Sequence, residues 1–170
     1  MRALRPILLT SFFFSLHAAL VAYVNSSMLG AHLSPKGVSI IYTISALLSL
    51  VLVSRAAGWI KRFGNVAYVA GVLTSAALLL FGIGVTSNHW FSVLLFIPYF
   101  ALNTLVYYGI DVFLEHFSDP KHTGNTRGTF LTLNNIAWVG MPAFVGLLEA
   151  RYGFAVVYFF GACAVLAALS

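Results

Sequence analysis

At 170 residues the chain has the length of one domain, yet 61% of it is hydrophobic and only 8% is charged. An average soluble protein carries roughly 25% charged residues, and nine basic plus four acidic side chains cannot hydrate a soluble surface of this size. A mean hydropathy of +0.95 makes lipid the solvent, and the net charge of +5 belongs to basic residues beside apolar runs rather than to a nucleic-acid surface. The expected partner is therefore the lipid bilayer, and no nucleic acid.

Apolar runs and their breakers predict six spans. The first covers 7–30 and ends ahead of Ser34-Pro35-Lys36-Gly37. The second covers 38–54, up to Arg55 and Gly58. The third covers 65–86, closed by Thr86-Ser87-Asn88-His89, and the fourth covers 90–114. A polar stretch over 115–127 follows, with Asp119-Pro120 as its turn; the fifth span covers 128–148 and the sixth 154–170. These are helices, because an isolated strand in lipid leaves its backbone edges unsatisfied, and the alternating pattern of a barrel is absent. The fold class is an all-α membrane protein. The first apolar run exceeds the roughly 7–15 residues of a signal-peptide core and lacks a clean cleavage site, so it reads as a retained helix. A single cysteine, Cys163, excludes a disulfide framework and any multi-cysteine metal site.

The basic residues set an orientation. Arg2, Arg5, Arg55, Lys61, Arg62, Lys121 and Arg127 fall on the side of the N-terminus, and Lys36 and Arg151 on the other. Positive residues concentrate inside, so both ends are expected in the cytoplasm of a bacterial-type plasma membrane.

The junction Arg62-Phe63-Gly64 between the second and third spans recurs as Arg151-Tyr152-Gly153 between the fifth and sixth. The two sit at matching places of spans 1–3 and 4–6 yet on opposite faces, the pattern of a three-plus-three inverted repeat. The segment from Pro142 through Gly146-Leu147-Leu148-Glu149-Ala150-Arg151-Tyr152-Gly153-Phe154 resembles the helix 5–6 junction of the major facilitator superfamily. The 55–65 loop resembles that superfamily's cytoplasmic motif between helices 2 and 3, with Arg62 on the motif arginine, Lys61 where the aspartate belongs and Ala57 where the first glycine belongs. The resemblance implies half of a major-facilitator-type fold, transport of a small solute, and a complementary C-terminal half or second copy. It also implies that helices 1 and 4 line a central cavity.

Polar residues inside spans mark candidate paths, because lipid penalises them. Asn103, Tyr107 and Asp111 stand four apart on the fourth span, Asn135 and Trp138 share a face of the fifth with Pro142, and Asn25 ends a face of small residues on the first that includes Ser11 and Ser15. Where the resemblance places a substrate path, these are the expected linings; the alternative role is helix packing. Asp111 is expected to point into the bundle near the cytoplasmic end and pair with Arg62 or Arg127, as a gate or as a structural pair. His17 is a candidate proton site, set against a neutral histidine hydrogen-bonded to a neighbouring helix. Gly82 and Gly84 read as close helix packing. The parts of an enzyme are missing: there is no paired-carboxylate or histidine-rich cluster for a metal, and no phosphate-binding glycine loop. No cofactor, metal or catalytic residue is therefore expected. Two functions remain, a secondary carrier half and a non-transport six-helix scaffold, with a dimerising half-carrier between them.

Overall fold

The computed structural model describes residues 4–118 and 123–169. Seven helices follow one another among them: α1 Leu4–Gly30, α2 Pro35–Phe63, α3 Asn65–Val85, α4 His89–Phe117, α5 Thr123–Val139, α6 Met141–Tyr152 and α7 Phe154–Ala167. Helices satisfy their backbone within the segment, which is what lipid demands. Five spans are long and apolar enough to cross a membrane: α1, α2, α3, α4, and α5 with α6 as the interrupted span Gly124–Tyr152. The sixth apolar helix, α7, has 14 residues and rises about 21 Å, less than the roughly 30 Å hydrocarbon core. The 154–170 expectation thus gives an apolar helix below crossing length in the described residues. Asp119, Pro120, Lys121 and His122, and Arg2 of the charge count, lie outside those residues.

Helix starts follow local capping chemistry. The Ser34 hydroxyl accepts from the Gly37 N–H at 3.2 Å ahead of Pro35 at the first helical turn. The Asn88 side chain accepts from the N–H groups of Trp90 and Phe91 at 3.0 and 3.2 Å. Two expected boundaries are corrected. Helix α2 does not stop near residue 54 but runs through Arg55 and Gly58 to Phe63, because one interior glycine costs only about 1 kcal/mol of helix propensity. The fifth span does not run unbroken over 128–148; it is interrupted at Gly140, and Pro142 opens α6. Proline has no N–H to donate and its ring crowds the carbonyl four residues back. Pro142 is therefore a break in the span and not part of a continuous face.

Gly64 and Gly153 are the residues with positive φ among those described. Gly64 sits at φ 82°, ψ 153° and Gly153 at φ 76°, ψ −178°, a region that a Cβ all but forbids. Each closes its helix with the same bond, Gly64 N–H to Ile60 O and Gly153 N–H to Glu149 O, both at 2.8 Å. Each is preceded by an arginine lying over the adjacent aromatic ring, Arg62 at 5.2 Å from Phe63 and Arg151 at 5.4 Å from Tyr152. The two Arg-aromatic-Gly junctions are the same structural device.

Side-by-side packing builds the bundle. α3 lies between α4 and α7, α2 lies against α4, and α1 packs against α7, α4 and the α5–α6 span. Close approach depends on glycines. A Cβ on Gly109 of α4 would collide with Val69 and Tyr68 of α3; one on Gly82 would come within 2.9 Å of Leu95; and one on Gly84 within 3.1 Å of the Ala155 carbonyl. The α3–α4 contact is further pinned by Asn65 Nδ2, which donates to Gly109 O at 2.9 Å, and by Tyr68 Oη, which donates to Leu105 O at 3.2 Å. On α2 the hydroxyls of Ser45 and Ser49 donate back to Ile41 O and Ser45 O at 2.8 and 2.9 Å, which is how serine is tolerated inside an apolar span.

Candidate functional site

The polar residues of α1, α4 and α5 meet along one seam. His17 and Tyr99 are both buried, and His17 Nε2 lies 2.7 Å from Tyr99 Oη while Nδ1 lies 3.1 Å from Phe14 O. A carbonyl only accepts, so Nδ1 carries the proton, and the neutral ring takes the Tyr99 O–H at Nε2. Both nitrogens are thus used, one within α1 and one across to α4. This geometry is that of the neutral, hydrogen-bonded histidine.

Towards the end of the bundle that carries the start of α1, the seam opens. Asn103 donates from Nδ2 to Tyr99 O at 3.1 Å, while its Oδ1 is buried without a partner; the hydroxyl of Ser15, itself 1% exposed, stands beside Tyr107. Tyr107 packs edge-on against Phe14, ring centres 4.9 Å apart, and keeps 37% of its surface open. Unsatisfied buried oxygens are rare because each forfeits hydration without recompense. Asn103 Oδ1, the Ser15 hydroxyl and the accessible Tyr107 are hydrogen-bonding groups of α1 and α4; Asn65 Oδ1, at the α3–α4 contact, is likewise buried without a partner.

The other expected residues are distributed differently. Asn25 is buried and accepts at Oδ1 from Tyr158 Oη of α7 at 2.9 Å, so it joins α1 to α7. Asn135 is exposed; its neighbour Asn134 meets α1 instead, accepting at Oδ1 from the Ser11 hydroxyl at 2.7 Å. Trp138 is 37% exposed with its ring 6.3 Å from Tyr23. Asp111 does not point into the bundle. Its side chain is 66% exposed and lies 3.9 Å from Arg127, itself 57% exposed, while Arg62 lies over the Phe63 ring. The physical reason is helical drift: residues four apart advance about 40° beyond a full turn, so Asp111 stands about 80° around α4 from Asn103.

Reading the sequence alone missed Tyr99, Asn134 and Tyr158. Tyr99 was legible, since it extends the Asn103–Tyr107–Asp111 spacing one turn back. Asn134 lies one turn before Ala137, which is buried. Tyr158 lies in a helix apolar on every side, and nothing local distinguishes it. Among the described residues no three His, Cys, Asp or Glu side chains converge as metal ligands would. Comparison with family models, curated proteins and solved structures finds no match to this chain.

Proposed function

We propose that the chain is half of a secondary carrier, moving a small uncharged polar solute by alternating access against a C-terminal half of the same carrier or a second copy. One observation carries the reading: the helix packing keeps its pattern when α1 is exchanged with α4, α2 with the α5–α6 span, and α3 with α7. Under that exchange α1 on α5–α6 becomes α4 on α2, α1 on α7 becomes α4 on α3, and α2 on α3 becomes α6 on α7; each is a packing pair of the bundle. The α1–α4 and α3–α7 contacts map onto themselves, and only the α1–α2 contact lacks a counterpart of similar extent. Exchanged helices run in opposite directions, so this pairing is what a two-fold axis in the membrane plane would give, and it supports the arrangement of inverted-repeat transporters. The matched glycine junctions at opposite ends follow the same relation.

In this reading α1 and α4, the central exchanged pair, carry the solute contacts: the Ser15 hydroxyl, Asn103 Oδ1 and Tyr107. No charged group sits among them, which favours an uncharged solute over an anion needing an arginine clamp. Asp111 and Arg127 tie α4 to α5 as the gate pair, and Arg62 acts elsewhere at that face. Both ends lie in the cytoplasm of a bacterial-type plasma membrane, as the basic residues direct. The test is uptake into proteoliposomes from a panel of uncharged, anionic and cationic solutes. Saturable uptake of an uncharged solute is expected, lowered about tenfold by Asn103→Leu, the effect of one buried hydrogen bond. Uptake of no solute, or uptake indifferent to Asn103, would leave the scaffold role standing in its place.

A further inference from the structure

At the end of the bundle where α1 stops and α4 starts, two histidines face each other. The rings of His32 and His89 are stacked, with centres 4.6 Å apart and planes 25° from parallel. Local chemistry fixes the backbone beneath both. Beyond α1 the chain keeps a further helical turn, Ala31 N–H donating to Ser27 O and Leu33 N–H to Leu29 O, each at 2.9 Å. His32 therefore stands one turn past Met28, on the same side. His89 is the first residue of α4, held by the Asn88 cap. The rings themselves keep their nitrogens free: among the described residues neither is hydrogen-bonded to a protein group. His17, by contrast, has both nitrogens engaged.

Both rings line a cavity of about 140 Å³ between α1, α3, α4 and the start of α7, and the buried Met28 lines it with them. A metal holds each imidazole nitrogen at about 2 Å, so two that share one cation lie within about 4 Å of each other. Rings stacked at 4.6 Å reach that separation by turning about χ1 and χ2, with the backbone left in place. The Met28 thioether is a third donor, and thioether sulfur selects soft cations. Among the described residues no carboxylate lines the cavity. Nothing there offsets a double positive charge, whereas a single charge costs far less to desolvate.

We propose that His32, His89 and Met28 form a binding site for copper(I), with two imidazole nitrogens and one sulfur as the donor set. Bound there, the cation clamps the turn after α1 to the start of α4. Every residue of both turns is described, and the site is independent of transport.

The experiment is anaerobic titration of the full chain in detergent, without a histidine tag, in which copper(I) is shared with the chromophoric chelator bicinchoninate. A Cys163→Ala background keeps the exposed thiol from competing. One copper(I) per chain is expected to be withheld from the chelator, and zinc(II) given in its place is expected to wash off in gel filtration. His32→Phe and His89→Phe keep a stacked ring and remove its nitrogens. Each should weaken copper(I) retention at least about tenfold, since even the outer partners of metal ligands are worth that much. Met28→Leu should weaken it to a similar degree. With every histidine in place, silver(I) should protect His32 and His89 from diethyl pyrocarbonate, read by peptide mass spectrometry, while the exposed His116 stays reactive. Copper(I) retention unchanged in both phenylalanine variants overturns the proposal, as does indifference to Met28→Leu. So does zinc(II) held as firmly as copper(I), or silver(I) that leaves His32 and His89 as reactive as His116.

Discussion

Tyr99→Phe removes a single oxygen from the centre of the α1–α4 contact. The ring volume is kept, so the packing of position 99 beside Phe96, ring centres 6.3 Å apart, is retained. What disappears is the 2.7 Å bond to His17 Nε2, at a place where Tyr99 is 1% and His17 0% exposed. An orphaned buried acceptor in a soluble protein costs about 1–3 kcal/mol. Between membrane helices the measured couplings average about 0.6 kcal/mol and reach about 1.7 kcal/mol. Complete burial of both partners places this bond near the upper end, about 1.5 kcal/mol, or roughly tenfold in the folding equilibrium. The assay is reversible unfolding in mixed micelles, followed by helical circular dichroism, on Tyr99→Phe, His17→Leu and the double variant. A coupling of at least about 0.6 kcal/mol is expected. Single effects that add within about 0.3 kcal/mol would show that the two side chains do not act together, and the seam would lose its anchor.

Gly64→Ala and Gly153→Ala should each destabilise by about 1–3 kcal/mol, since both glycines occupy backbone that alanine resists; Gly71→Ala, in open helix with nothing within 4 Å, should stabilise by up to about 1 kcal/mol in the same melts. Gly109→Ala should lower stability by about 1–3 kcal/mol through collision with Val69 and Tyr68, and loss of the α3–α4 contact should show as faster amide exchange in both helices. Asp111→Asn should change unfolding by less than about 1 kcal/mol, because its partner lies 3.9 Å away and both side chains are largely exposed. In uptake assays Asp111→Asn and Arg127→Gln should lower transport rate more than affinity, with non-additive effects when combined and none of this coupling to Arg62→Gln.

The helices were legible because apolar runs of membrane length admit one backbone solution. Their boundaries were less so. Arg55 and Gly58 read as breakers but their local preferences are weak beside the packing of a 29-residue helix, while Pro142, read as part of a face, interrupts its span. Both glycine junctions were visible as a recurring tripeptide, and coordinates added the shared backbone geometry. The seam was half visible. Polar residues in apolar spans announce themselves, yet which way each turns does not follow from spacing, because lipid is as apolar as the core and leaves little hydrophobic contrast between helix faces. That is why Asn135 and Asn134 were indistinguishable in sequence while only Asn134 reaches Ser11. It is also why Asp111 was expected inside: the four-residue stripe was treated as straight, and its drift carries the last member out to Arg127.

Alternating access is tested most directly by whether the seam is reached from both sides of the membrane. Cys163 is exposed and must first be replaced, by Cys163→Ala, so that a single cysteine introduced as Tyr107→Cys is the one reporter. The protein, reconstituted in oriented vesicles, is then exposed to a membrane-impermeant thiol reagent from outside, from inside, and with the candidate solute present. Alternating access predicts modification from either side and protection by the solute. Reactivity confined to one side and indifferent to solute would contradict it.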